Sequence, residues 1–251
     1  RVARDRGHVG GISRDEADAC GERSLVRPDE ERVGALGVAA GVPKPSALEQ
    51  YEMARLVDDV RVLAAQLNGS KKFTLVGHDW GGVVAWVFAI THTEMLDRLV
   101  IINAPHPGIF TKLLAEDPAQ QKASQYMLMF RGDKAEEMLS ANNYGLLVNI
   151  VLGEGLKSGT FTDEDRKQYI AAWSQPGALT GGLNYYRAAR IGPPQPGAPA
   201  APPIAASLNV KVPTLVIWGE KDTALLPANL DGLDAYVPQL TVKRMPEGSH
   251  W

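Results

Sequence analysis

The 251-residue sequence contains a single cysteine, Cys20, so no disulfide can form within the chain. It has no apolar run long enough to span a bilayer, and no apolar stretch behind its N-terminus that would mark a signal peptide. The sequence has 26 basic and 29 acidic residues, so neither sign of charge is in large excess. These absences predict a cytoplasmic protein that binds neither nucleic acid nor membrane, and they leave its oligomeric state open.

Residues 1–43 lack aromatic residues, lysine and, beyond short fragments, any strand-like apolar run. Their low hydrophobicity and high charge favour disorder. From residue 44 onward apolar positions recur regularly, and the apolar fraction of the whole chain, 45%, is enough for a sizeable core. The length suits one large domain, or one domain with an insertion.

One segment has the pattern of a strand, a tight turn and a helix. Phe73–Val76 is a short apolar run typical of a buried strand, and Val83–Ile90, apolar almost all round, is typical of a buried helix. Three glycines crowd the turn between them: Gly77, Gly81 and Gly82. This context matches the nucleophile elbow, whose usual form is G-x-S-x-G, with Asp79 in the central position. The alternative is an ordinary turn in which Asp79 is only a helix N-cap.

Two further apolar runs predict strands, Leu99–Ile102 and Val212–Trp218, and a last strand is expected at Leu240–Met245. Apolar spacing predicts a helix from Ser46 to Leu67, with Ser46 as its N-cap and Gly69 at its end. The helix after the tight turn is expected to reach about Met95. Other helices are expected at Ala119–Phe130, Ala135–Leu139, Leu146–Leu152, Glu164–Trp173, Ala178–Arg190 and Ala228–Tyr236. Strands that alternate with helices indicate a parallel sheet with crossover helices.

The distribution of these patterns predicts how the chain is divided. Residues 44–105 and 207–251 carry the strand signals and are expected to form an α/β core. Residues 106–206 lack strand signals, which predicts a helical cap inserted into the core. The cap ends in a Pro-rich, semi-stiff linker that begins near Gly192.

Three polar residues each follow a predicted strand: Asp79, Asp222 and His250. Sites in parallel sheets form at the carboxyl ends of strands, so these side chains are expected to meet. Their chain order, a nucleophile followed by an acid and then a histidine, matches the α/β-hydrolase layout. Taken singly, Asp222 could be a solvated loop carboxylate and His250 a surface histidine; the order and placement together favour a catalytic triad.

An aspartate nucleophile restricts the chemistry. The Asp79 carboxylate is already ionised at neutral pH and suits displacement at saturated carbon, which leaves an ester on Asp79. His250, oriented by Asp222, would activate a water molecule that attacks the carboxyl carbon of that ester. The oxyanion that forms would accept a hydrogen bond from the backbone N–H of Trp80. Neither a metal nor an organic cofactor is needed. The leaving group is then an epoxide oxygen, which needs a proton donor, or a halide, which does not.

Tyrosine hydroxyls of the predicted cap could protonate an epoxide oxygen, although chemistry alone favours a packing role for each of them, because buried tyrosine commonly serves the core. The candidates are Tyr126, Tyr144, Tyr169, Tyr185 and Tyr186.

Several stretches together resemble the α/β-hydrolase-fold epoxide hydrolases. They are Val76–Gly82, Asn103–Pro107, Tyr126–Phe130, Gln175–Leu179, Asn184–Arg187, Trp218–Asp222 and Gly248–Trp251. The resemblance covers roughly residues 44–251. It implies a mostly parallel sheet with helices on both faces and a helical cap, and a small-molecule epoxide as substrate together with water. It also implies that Tyr126 and Tyr186 are the two cap tyrosines that hold and protonate the epoxide oxygen.

The sequence departs from the family at both ends. Nothing in residues 1–43 matches the early strands or the His-Gly-x-Pro loop of the family, and its final helix is not found after His250. We expect that a frameshift or a mispredicted gene start explains this difference, and that the true reading frame is regained near Lys44. Two alternatives stay open: a haloalkane dehalogenase with the same triad and with Trp80, or an inactive truncated hydrolase.

Overall fold

The computed structural model describes residues 44–195 and 207–251. Segment 1–43, for which disorder is predicted, lies outside the described residues, as does most of the expected Pro-rich linker. The described ranges hold one four-stranded sheet, built from β1 (Phe73–His78), β2 (Leu96–Ile102), β3 (Thr214–Gly219) and β4 (Leu240–Met245). The strands lie in the order β1-β2-β3-β4 and each neighbouring pair is parallel. The predicted parallel sheet is thus confirmed.

Strand β1 is buried on one face only, so the expectation of a fully buried strand is wrong. Phe73 and Leu75 pack against the main core, whereas Val76 is 58% exposed. The sheet order places β1 at the edge of the described sheet, and the Phe73 ring lies 5.9 Å from that of Phe88 in the following helix. That helix covers one face of β1, and the described residues leave the other face open to solvent.

The first helix, α1 (Met53–Asn68), begins later than predicted. Ser46 is not its N-cap: a short 3₁₀ helix precedes it, and Glu52 takes the cap position without a side-chain hydrogen bond. Tertiary packing overrides the local cap signal here, because the buried Tyr51 donates a hydrogen bond to the Pro45 carbonyl at 2.8 Å and holds the chain in a turn. The helix ends as predicted at Gly69, which has φ 60°.

Two other helix predictions need correction. Helix α2 (Asp79–Thr91) is buried as expected but stops before Met95, because His92 has φ −129° and a 3₁₀ turn follows it. The α-helix expected at Ala228–Tyr236 is two 3₁₀ turns, Pro227–Leu230 and Leu233–Ala235. Gly232 between them has φ 75°, a left-handed conformation that interrupts a helix.

The segment between β2 and β3 is helical where it is described. Its helices are α3 (Pro107–Glu116), α4 (Pro118–Ala123), α5 (Gln125–Arg131), α6 (Ala135–Ser158), α7 (Asp163–Trp173) and α8 (Ala178–Ala189). Helix α3 was not predicted, although Pro107 at its first position and His106 as its cap are both helix-start signals. Helix α6 is broken at residues 141–144, which agrees with the two separate helices predicted there. In the described ranges, no helix combines the length and the apolarity that a membrane crossing requires.

The tight turn between β1 and α2 needs glycine at two of its three glycine positions. A Cβ on Gly77 would lie 2.5 Å from the Gly81 carbonyl oxygen, and one on Gly82 would lie 2.3 Å from the Ala104 Cβ. A Cβ on Gly81 would meet nothing within 4 Å. The second glycine of the G-x-D-x-G pattern is therefore not required by packing.

This difference predicts opposite effects of two alanine substitutions. We expect Gly77→Ala to lower the free energy of unfolding by about 3 kcal/mol, because the clash is with backbone atoms that cannot move aside. We expect Gly81→Ala to be neutral or to stabilise α2 by up to about 1 kcal/mol. Urea denaturation of both variants measures the difference, and equal losses in the two would contradict the packing of this turn.

Candidate active site

Asp79 sits at the junction of β1 and α2 with φ 50°, in a region that residues other than glycine rarely adopt. Close packing holds the backbone in this conformation, because Gly77 and Gly82 lie so near neighbouring atoms that neither position has room for a Cβ. The Asp79 side chain remains 37% exposed although the start of α2 is largely buried. The strained turn thus presents one carboxylate at the carboxyl edge of the sheet.

The three residues predicted to form a triad lie together. The His250 Nε2 is 3.3 Å from Asp79 Oδ1, and its Nδ1 is 2.8 Å from Asp222 Oδ2. The imidazole therefore bridges two carboxylates through its two ring nitrogens. The ring is largely shielded from solvent and the Asp222 side chain is completely so.

Asp222 is held by donors on both oxygens. Its Oδ1 accepts hydrogen bonds from the backbone N–H groups of Ala224 and Leu225, each at 2.9 Å. Its Oδ2 accepts from Asn103 Nδ2 at 2.8 Å as well as facing the His250 ring. A buried carboxylate with this many donors is fixed in one orientation, and its hydrogen bond with His250 orients the imidazole as well.

Asn103 is a site residue whose role the sequence did not reveal. It follows β2, is 3% exposed and has φ 38°. Its Oδ1 accepts a hydrogen bond from the Gly219 N–H at 2.9 Å while its amide nitrogen donates to Asp222. Its placement just after a strand, at the same sheet edge as the other three residues, was the available signal.

The charges of this cluster shift the pKa values of Asp79 and His250. Burial would by itself raise the pKa of Asp79, but hydrogen bonding and the charge of His250, with help from the Trp80 N–H, outweigh burial and lower it. Burial would likewise lower the pKa of His250, but its hydrogen bonds and charge interactions with Asp222 and Asp79 raise it to about 10. At neutral pH the resting site therefore holds an imidazolium between two carboxylates.

This shift predicts how stability depends on pH. Below pH about 6.5, the pKa of an unfolded histidine, both states of the protein bind the His250 proton, and its stabilising effect is fully present. Between pH 6.5 and 10 only the folded state keeps the proton, so the stabilisation is lost as pH rises. We expect the difference in unfolding free energy between wild type and His250→Gln to shrink over this interval, as measured by urea denaturation. A constant difference for His250→Gln would contradict the pairing.

Tyr126 and Tyr186 come from different helices, α5 and α8, and their rings meet edge to face with centroids 6.0 Å apart. The Tyr186 ring also lies 5.1 Å from the Trp80 indole. Burial is the main cause that raises the pKa of both hydroxyls; the interaction with Tyr186 and then the charge of Asp79 add to it for Tyr126, and the charge of Asp79 adds to it for Tyr186. Both phenols are therefore protonated donors beside the Asp79 carboxylate.

The other candidate tyrosines have packing contacts. Tyr144 donates a hydrogen bond to the Trp173 carbonyl at 3.2 Å, and Tyr169 packs on the Trp173 ring. Tyr185 lies against the rings of Tyr51 and Trp80. Of the five candidates, Tyr126 and Tyr186 are the two that line a cavity together with His250.

A cavity of about 220 Å³ opens onto this cluster. His250 and the two tyrosines, Tyr126 and Tyr186, line one part of it. Apolar side chains of the helical segment line another part, among them Phe130, Ile150 and Val151. The arrangement suits a largely apolar small molecule that carries one polar group toward the tyrosines.

Comparison with known proteins places the chain in a family. A family profile described as alpha/beta hydrolase fold matches residues 41–140. The mouse protein named Epoxide hydrolase 4 is 34% identical over 215 residues, which are 82% of this chain and 56% of the relative. The AB hydrolase superfamily protein YfhM of Bacillus subtilis is 35% identical over 83% of this chain and 69% of its own length.

A crystal structure of Bacillus megaterium epoxide hydrolase with an inhibitor superposes with a TM-score of 0.73 at 34% identity, covering 82% of this chain and 72% of that one. A further similar structure, from a study of epoxide hydrolases in metagenomes from hot environments, has a TM-score of 0.68 at 36% identity over 84% of this chain and 72% of that one. The chain spans 56% of the length of the mouse and human relatives. The α/β-hydrolase fold expected from the sequence is confirmed by these matches. The chain belongs to the family of α/β-hydrolase-fold epoxide hydrolases.

Proposed function

We propose that this chain opens an epoxide to a vicinal diol through an ester on Asp79. The observation that carries the proposal is the His250 ring, which bridges Asp79 at 3.3 Å and Asp222 at 2.8 Å beside two protonated tyrosines. A carboxylate nucleophile, a histidine with an orienting acid and a pair of phenolic proton donors are the parts that this reaction needs.

In the first step an Asp79 carboxylate oxygen attacks one epoxide carbon. A carbon–oxygen bond forms to Asp79, and the bond between that carbon and the ring oxygen breaks. The ring oxygen takes a proton from Tyr126 or Tyr186, whose raised pKa values keep them protonated until the alkoxide forms. The product of this step is a hydroxyalkyl ester of Asp79.

Ester formation removes the negative charge of Asp79, and with it two of the interactions that raise the His250 pKa. We infer that His250 then yields its proton, which restores the tyrosine, and becomes a neutral base. It takes a proton from a water molecule whose oxygen attacks the Asp79 carboxyl carbon. The resulting oxyanion is stabilised by the backbone N–H of Trp80. When it collapses, the ester C–O bond breaks, the departing alkoxide oxygen takes a proton from His250 to complete the diol, and the Asp79 carboxyl returns a proton to His250.

The division into a core, residues 44–105 and 207–251, and a cap, residues 106–206, belongs to this proposal. It is supported by a second apolar cluster built wholly from the helical segment, with Phe130, Leu147 and Trp173 at its centre. The core then supplies the triad and the cap supplies both tyrosines. The substrate lies between them, and the cavity lining of His250 and cap side chains is consistent with this.

Single-turnover labelling in heavy-oxygen water tests the ester route. Enzyme in excess over a styrene-type epoxide should place the heavy oxygen on the Asp79 carboxylate, because water attacks that carbon and not the substrate. The diol from the first turnover should carry no label. Label found in the diol and not on Asp79 would show direct attack of water on the epoxide and would overturn the proposal.

A further inference from the structure

Gln120 is a buried polar side chain outside the site. It lies in the short helix α4 of the helical segment and has no solvent exposure. Its amide nitrogen donates to Ser124 Oγ at 2.9 Å and to the Ala224 carbonyl at 2.8 Å. Its amide oxygen accepts from the Leu226 N–H at 3.1 Å and from Asn229 Nδ2 at 2.9 Å. All four hydrogen-bonding positions of the side chain are used.

Three of these four bonds reach the loop and turn that follow Asp222. The peptide unit between Ala224 and Leu225 is the important one. Its carbonyl accepts from Gln120, while its N–H donates to Asp222 Oδ1 at 2.9 Å. A peptide unit is planar, so a rotation that releases the carbonyl also turns the N–H away from the carboxylate. Gln120 thereby fixes one of the two backbone donors that orient Asp222.

We infer that Gln120 is a positioning residue for the hydrolysis step. It acts through the Ala224–Leu225 peptide, which orients the Asp222 carboxylate, and Asp222 in turn orients the His250 ring. The inference deepens the proposed function and rests on it for its kinetic part only. Asp79 attack on the epoxide does not use this chain of contacts, because Asp222 touches His250 and not the nucleophile. Loss of Gln120 should therefore slow hydrolysis of the ester more than its formation.

Gln120→Met, which keeps length but removes all four bonds, is the first test. We expect the hydrolysis rate in rapid-quench experiments to fall by about 10- to 100-fold, from misplacement of the base, while the alkylation rate stays within about threefold of wild type. The ester should accumulate in the steady state. Gln121→Met is the matched control: Gln121 is the next residue of α4, and its side-chain amide donates to the Leu114 and Ala115 carbonyls, away from the loop after Asp222, so both rates should be unchanged.

A second readout needs no turnover. The proton shared by His250 Nδ1 and Asp222 gives a low-field proton resonance, which we expect to shift or broaden in Gln120→Met and to be unchanged in Gln121→Met. If wild type fails to hydrolyse epoxides, the proposed function fails, while this resonance still tests the role of Gln120. A folded Gln120→Met with wild-type hydrolysis and an unshifted resonance would overturn the inference.

Should Gln120→Met not fold, Gln120→Glu decides the question. Glutamate keeps the oxygen that accepts from Leu226 and Asn229, but it turns a second oxygen toward the Ala224 carbonyl and loses that donated bond. We expect the same selective loss in hydrolysis and the same change in the His250 resonance. Wild-type behaviour of the glutamate variant in both measurements would overturn the inference equally.

Discussion

Replacing His250 by Gln is expected to stop the reaction at the ester. Glutamine cannot take the proton of the attacking water, so turnover should fall by about 10⁴-fold. Formation of the ester should persist, because the Asp79 carboxylate and both tyrosine hydroxyls remain. Incubation with an epoxide should therefore convert the variant to a covalent adduct, visible in the intact mass.

The mass of that adduct is itself informative. Ring opening expels nothing, so the chain should gain the whole mass of the epoxide, and peptide mapping should place it on Asp79. The double variant Asp79→Ala with His250→Gln is the control and should gain no mass. His92→Gln, altered outside the site, should turn over normally without accumulating adduct. An adduct on any other residue, or none with His250→Gln, would refute the ester on Asp79.

How far the sequence predicted this structure depended on how local each signal was. The limits of β4, Leu240–Met245, were predicted residue for residue, because the turn residues that bound the segment on both sides are a local signal. The tight turn at Asp79 was equally recognisable, because its glycines and flanking apolar runs lie within a few residues. Ser46 failed as a cap because the burial of Tyr51, a tertiary effect, outweighed a local preference.

Two buried residues bonded to Asp222 or to the loop after it were not found by such reasoning. Asn103 lies 119 positions from Asp222, and Gln120 lies 104 positions from Ala224. In sequence, an asparagine after a strand resembles a turn residue, and a glutamine in a polar helix resembles a solvated one. Only the fold shows that both are buried and point at the acid or its loop. The roles of the triad and of the paired tyrosines, in contrast, stay predictions until they are tested.

Replacing both Tyr126 and Tyr186 by Phe is expected to abolish epoxide opening. Attack by Asp79 creates an alkoxide, and without a proton donor the step should slow by about 10²-fold for one phenol and about 10⁴-fold for both. Each single variant should retain part of the activity, because the second hydroxyl lies in the same cluster. Rapid-quench measurement of ester formation isolates this step from the later hydrolysis.

Tyr144→Phe is the matched control for these variants. Its hydroxyl bonds to the Trp173 carbonyl, so its loss should lower stability by about 1 kcal/mol and leave ester formation unchanged. A haloalkane offered to the same proteins separates the two reactions that share this triad, because halide leaves without a proton. If the double variant displaces halide while epoxide opening collapses, the triad is intact and the tyrosines serve the epoxide oxygen. If it opens epoxides at the wild-type rate, the proton comes from another group, and the paired hydroxyls beside Trp80 have only a packing role.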